Sequence, residues 1–216
     1  MIKRIFKNRT ARNASWLIGG RVAQMGISFI ISALTARYLG PANYGLVNYA
    51  AAYTAFFSSF CTLGINSILV KKFVDNPEDS GTTIGTTLVL RAVSSLLSAI
   101  AIVTIVCFVD SDESVTIAVV ALSSIGMVFH IFETFNYWFQ AQLKSKVTAI
   151  VTLCAYIITA LYRVILLVLG KSVVWFAFAS SVDYICVALF LFVAYKKNSG
   201  LPLRFSFEHA KNLLGK

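Results

Sequence analysis

Apolar residues in this chain run in long blocks rather than in alternation, and short polar breaks separate the blocks. A helix needs about 20 mainly apolar residues to cross the ~30 Å hydrocarbon layer of a bilayer. Six blocks reach that length, at 14–39, 43–70, 84–109, 114–140, 146–170 and 172–195. The pattern therefore predicts an all-α, polytopic membrane bundle of six transmembrane helices. It divides the chain into a cytoplasmic basic N-terminus (1–13), the six-helix bundle (14–195) and a cytoplasmic tail (196–216). Proline removes a backbone bond inside a helix. The three prolines, Pro41, Pro77 and Pro202, all fall in the connections. Those connections are short, so consecutive helices should be antiparallel neighbours.

Composition agrees. Charged residues make up 13% of the 216 residues and hydrophobic ones 58%, whereas a soluble domain carries about 25% charged residues. The net charge of +10 suggests nucleic acid at first sight, but its placement does not. Basic residues cluster before the first block, at Lys71–Lys72, at Lys144 and Lys146, and from Lys196 onward. The intervening connections hold only Lys171 and the acidic run Asp110-Ser111-Asp112-Glu113. Such asymmetry is the positive-inside rule. It predicts both termini in the cytoplasm, as an even number of spans requires, and membrane lipids rather than nucleic acid as surroundings.

The tail mixes Phe205, Phe207, Leu213 and Leu214 with charges. It reads as an amphipathic segment on the membrane surface, or as a linker toward further helices. Cys61, Cys107, Cys154 and Cys186 each lie within a block and none forms a C-x-x-C pair. They read as small apolar residues, with no metal or cofactor expected. No phosphate-binding loop of the G-x-x-x-x-G-K-[ST] type occurs, and no loop is long enough for a catalytic domain, so the chain does not read as an enzyme.

At 100° per residue, polar residues line up in stripes on five blocks. They are Arg21, Gln24, Ser28, Ser32 and Thr35; Tyr44, Asn48, Ser59, Thr62 and Asn66; Thr83, Thr87, Arg91, Ser94 and Ser98; Ser123, His130, Glu133, Tyr137 and Gln140; and Thr148, Thr152, Tyr156, Thr159 and Arg163. The sixth block is weaker, with Ser180, Asp183 and Tyr184. Serine and threonine are ordinary in membrane helices, where they bond back to the preceding turn or join helices. Ionisable groups are not, because each costs several kcal/mol at mid-depth unless paired or hydrated.

A water-filled cavity between converging polar faces accommodates them. Its candidate lining is Arg21, Arg91, Arg163, Glu133 and Asp183, with Arg37 near the outer mouth. Arg91 shares a depth with Asp183 and Arg21 with Glu133, so either pair also reads as a structural ion pair. Arg163 has no evident counter-ion. The arginine excess makes the expected cavity positive, and an arginine fork suits phosphate oxygens. His130, one turn from Glu133, is a candidate for proton coupling.

The stretch Leu34-Thr35-Ala36-Arg37-Tyr38-Leu39-Gly40-Pro41-Ala42-Asn43-Tyr44-Gly45, preceded by Asn13-Ala14-Ser15-Trp16-Leu17, resembles bacterial polysaccharide and O-antigen flippases. The resemblance continues through Leu63-Gly64-Ile65-Asn66, Phe139-Gln140-Ala141 and Leu203-Arg204-Phe205-Ser206. These flippases belong to the superfamily of multidrug and oligosaccharidyl-lipid exporters. The resemblance implies one lobe of a two-lobe flippase, its N-terminal half, in the bacterial inner membrane. It implies a polyprenyl-pyrophosphate-linked glycan as cargo and alternating access between two lobes, the second supplied by further chain or by a second copy. The alternatives are an ion-coupled small-molecule exporter of the same superfamily, for which acidic cavity residues would be expected, and a non-transporting truncated membrane protein.

Overall fold

The computed structural model describes residues 9–199 and 201–214. The basic residues Lys3, Arg4, Lys7 and Lys216 lie outside them. The described residues fold into α1 (Arg9–Thr62), α2 (Asn66–Asp75), α3 (Ser80–Val109), α4 (Ser114–Ile125), α5 (Thr134–Ala141), α6 (Ser145–Val168), α7 (Val173–Asn198) and α8 (Phe207–Leu214). Two 3₁₀ segments, Pro77–Asp79 and Gly126–Glu133, join α2 to α3 and α4 to α5.

Five helical stretches are long and apolar enough to cross a membrane, and the first, Asn13–Asp75, runs 63 residues. At 1.5 Å per residue that is roughly 95 Å, about three bilayer cores. It is not one span. Gly40 sits at φ 72° and ψ 172°, a conformation closed to residues with a Cβ. Pro41 then opens a new helix, where a missing N–H costs nothing.

The contacts show that the chain reverses there. Arm 9–39 runs parallel to α6. Asn13 brackets the start of α6, its side-chain amide donating to Ser145 Oγ and its carbonyl accepting from the Ser145 N–H, both at 2.7 Å. Gln24 donates to the Thr152 carbonyl at 3.0 Å, and the Tyr38 hydroxyl donates to the Lys171 carbonyl at 3.2 Å. Arm 41–62 instead runs antiparallel to α3. Tyr49 donates to Asp110 at the far end of α3 at 2.8 Å, while Ser94 donates to the Phe60 carbonyl at 2.6 Å. With the two arms counted separately, the bundle has six spans.

Two apolar cores hold the spans together, one toward each end. Leu39, Ala50, Ile102, Val106, Val119, Leu166 and Phe176 pack near the Gly40 turn. Leu69, Phe73, Ile84, Phe135, Trp138, Phe139 and Leu213 pack at the opposite end, where Lys71, Lys72, Lys144, Lys146, Lys196 and Lys197 gather. The outer surface is apolar, with Phe29, Phe108 and Val168 each about four-fifths exposed, as helices facing lipid require.

The fourth block is not the continuous helix expected. Its middle, Gly126–Glu133, is eight residues of 3₁₀ helix, longer than such runs usually extend. Gly126 explains the local packing. A Cβ there would lie 2.7 Å from the Ser181 Cα of α7. The close approach lets the Gly126 N–H donate to Ser181 Oγ at 2.9 Å, while that hydroxyl donates to the Leu122 carbonyl at 2.6 Å.

The tail docks on the bundle. Residues 201–206 run extended across the start of α3, where Gly81 and Gly85 lie one turn apart, and a Cβ on either would meet a tail carbonyl oxygen, of Pro202 or Arg204, at 2.4 Å. Ser206 N–H donates to Thr86 Oγ1 at 3.0 Å. Beyond it, α8 buries Leu213 in the second core, and Ala210 is buried as well.

Candidate functional site

A polar cavity of about 300 Å³ lies between arm 9–39, the 3₁₀ segment, α6 and α7. Each element contributes from one face. Arm 9–39 gives Arg21 and Gln24, the 3₁₀ segment gives His130 and Glu133, α6 gives Thr148 and Thr152, and α7 gives Asp183 and Tyr184. Four of the seven expected site residues, Arg21, His130, Glu133 and Asp183, therefore meet in one place. They come from three spans distant in sequence.

The carboxylates have company. Glu133 lies 3.2 Å from His130 Nδ1, and Arg91 stands close enough to act on it electrostatically from behind the lining. Asp183 accepts a hydrogen bond from Thr159 Oγ1 at 3.2 Å and feels the charge of Arg163. The expected pairing of Arg91 with Asp183 is not formed, and no ion pair joins Asp183 to Arg163 among the described residues, although the arginine is near enough for its charge to be felt. The short turn at Gly170 makes α6 and α7 antiparallel neighbours, which brings Thr159 level with Asp183.

Arg91 is not part of the lining. It is only 1% exposed, and its guanidinium donates to the Asn66 side-chain carbonyl and, at 3.3 Å, to Thr134 Oγ1. The Tyr137 ring lies beneath it, 5.5 Å from the guanidinium carbon. Asn66 starts α2, immediately after Leu63 and Gly64 break the second span with φ values of 54° and 64°. Arg91 therefore braces a broken helix. Arg37 also stands apart, exposed in the last turn before Gly40.

Arg21 differs from the other arginines. It faces the cavity, is exposed, and has neither an ion pair nor a hydrogen bond to a described residue. The expected contact pair with Glu133 is not formed, although both line the same space. Nearby, the Thr148 hydroxyl is buried at the cavity wall without a hydrogen-bond partner. The lining alone holds one arginine against two carboxylates, so the positive cavity expected from the arginine count is not what the structure presents. Arg91 and Arg163 stand outside the lining. Among the described residues, Arg21 is the one arginine that faces the cavity.

Sequence reasoning missed Thr148 and Thr152 as lining groups distinct from the rest of their stripe, and missed Gln24's bond to the Thr152 backbone. It also missed the tail dock, although Gly81 and Gly85 at a four-residue spacing are a known signal of close backbone approach. No curated protein and no solved structure matches the chain. A family model described as "Polysaccharide biosynthesis protein" matches residues 10–214, nearly every residue described here. The chain belongs to that polysaccharide biosynthesis protein family.

Proposed function

We propose that this chain forms one lobe of a flippase that carries a lipid-linked oligosaccharide across the bacterial inner membrane. Membership of a polysaccharide biosynthesis family and a bundle of membrane-crossing helices support a membrane transport role. The observation that carries the finer reading is Arg21, a cavity-facing guanidinium without a described partner, while Glu133 lies against His130 and Asp183 accepts a hydrogen bond from Thr159. A fixed cation in a hydrated intramembrane cavity favours an anionic group, and the planar fork matches phosphate oxygens.

In this reading Arg21 contacts the pyrophosphate and the Thr148 hydroxyl supplies a further polar contact to the head. Asp183, with Arg163 behind it, and Glu133, with Arg91 behind it, form the opposite wall and accept sugar hydroxyls. The His130–Glu133 pair is the element suited to taking up a proton during the cycle. Both termini face the cytoplasm, by the distribution of lysines and arginines. Alternating access requires a second lobe opposite this one.

The test is complementation of a flippase-deficient strain by the full-length protein carrying Arg21→Ala or Arg21→Lys. The expected outcome is loss of surface glycan with Ala, partial export with Lys, and normal membrane abundance of both. Normal export by an abundant Arg21→Ala protein would end the assignment.

A further inference from the structure

At the basic end of the bundle, the docked tail and the last turns of α7 leave an apolar groove of about 510 Å³ between them. Phe192 and Tyr195 line it from α7, and Leu201 and Leu203 line it from the tail. Alternate side chains of an extended segment share a face. Phe205, half exposed, is next in that row, and Phe207 at the start of α8 is about four-fifths exposed. Among the described residues, Lys196 is the one charged group in the lining. Its ammonium lies 4.9 Å from the centre of the Phe192 ring and has no ion pair with a described residue. None of these lining residues belongs to the polar cavity.

We propose that this groove binds an anionic phospholipid, with its phosphate on Lys196 and one acyl chain along Phe192, Leu201 and Leu203. The site is separate from the cargo cavity and rests only on the bundle crossing a membrane. The 26 residues of α7 span roughly 39 Å, more than the ~30 Å hydrocarbon layer. Its last turns therefore reach headgroup depth, where a lysine stem lies along apolar surface and its ammonium stays among the phosphates. The Phe192 ring holds that ammonium at the groove, and it keeps donors for a phosphate oxygen. Charge complementarity selects the headgroup. Lys197 follows Lys196, and Lys71, Lys72, Lys144 and Lys146 gather at the same end, so an anionic head is favoured over a zwitterionic one. One wall of the groove is α7 and the other is the tail. A lipid bound between them stabilises the docked tail by mass action.

The probe is a photoreactive phosphatidylglycerol added to the purified full-length protein in detergent, with the labelled peptides mapped. Labelling is expected within 192–203, displaced by excess phosphatidylglycerol and not by phosphatidylcholine with the same chains. Phosphatidylglycerol should also slow proteolytic cleavage at 201–206, and phosphatidylcholine should not. Lys196→Gln should weaken labelling about fivefold, the equivalent of ~1 kcal/mol for one basic residue beside an anionic lipid. Leu203→Asp, at an exposed side chain, should weaken it at least as much. Lys144→Gln removes the same charge at the same end but outside the groove, and should leave labelling unchanged. Equal displacement by phosphatidylcholine overturns the proposal. So does equal weakening by Lys144→Gln and Lys196→Gln, the mark of a diffuse basic surface. Displacement by a polyprenyl pyrophosphate but not by phosphatidylglycerol also overturns it, and gives the groove to the cargo instead. None of these outcomes bears on the flippase reading, which stands or falls on Arg21.

Discussion

Replacing Arg91 separates packing from transport. In Arg91→Met the guanidinium is lost but most of the side-chain volume stays, so no large cavity opens. Two hydrogen bonds disappear, to Asn66 and to Thr134. Such bonds average about 0.6 kcal/mol between membrane helices and reach roughly 1.7; with a charged donor they run to about 1.5–3 in other settings. Two of them give a loss on the order of 1–4 kcal/mol. Part of this returns, because burying the guanidinium itself is costly and its Nε has no partner. We expect a net destabilisation of about 1–2 kcal/mol.

The assay is a double-mutant cycle read by thermal unfolding in detergent. Arg91→Met and Asn66→Leu should be strongly non-additive, because each removes the same bond. Arg91→Met and Asp183→Asn should be additive, because the charge beside Asp183 is that of Arg163. Coupling of Arg91 to Asp183, or additivity with Asn66, would refute the assignment of Arg91 as a brace. So would loss of export at undiminished stability, which would return Arg91 to the cargo site.

Gly85→Ala places a methyl 2.4 Å from the Arg204 carbonyl, and backbone on both sides cannot yield. The tail should detach, seen as faster proteolytic cleavage at 201–206 and a loss of about 1–3 kcal/mol, near the burial of Leu213. Gly126→Ala forces the 3₁₀ segment away from α7 at Ser181 and should cost about 1–3 kcal/mol by overpacking, read as a lower melting temperature. A cysteine at Ser111 should react with an impermeant thiol reagent added outside intact cells, and one at Asn76 should not; the reverse pattern would invert the topology.

Much of this fold was legible in the hydrophobic blocks. The predicted 84–109 and 146–170 stand against helices Ser80–Val109 and Ser145–Val168, because the length of an apolar run is what a bilayer fixes. What the runs do not carry is the local break. The second block contains two adjacent residues of positive φ, Leu63 and Gly64, and the fourth a 3₁₀ segment. Both are set by tertiary contacts, Asn66 with Arg91 and Gly126 with Ser181.

The stripes behaved differently again. Periodicity says which residues share a face, not what that face meets. The stripe through Thr83, Thr87, Arg91 and Ser98 is buried in packing, and Thr87 satisfies itself on the Thr83 carbonyl. The stripes through Arg21 and through Thr148 open onto the cavity. On one helix alone the two cases look the same. Glu133 and Asp183 could be assigned to a common space only once their helices were placed beside each other.

The most direct measurement is translocation of a fluorescent polyprenyl-pyrophosphoryl oligosaccharide in liposomes containing the purified full-length protein. Inward-facing probe is scored by its protection from a membrane-impermeant quencher. Protein-dependent movement of the probe between leaflets is expected, abolished by Arg21→Ala and retained in part by Arg21→Lys. Movement by Arg21→Ala at the unmodified rate, or the same rate with protein-free liposomes, would contradict it.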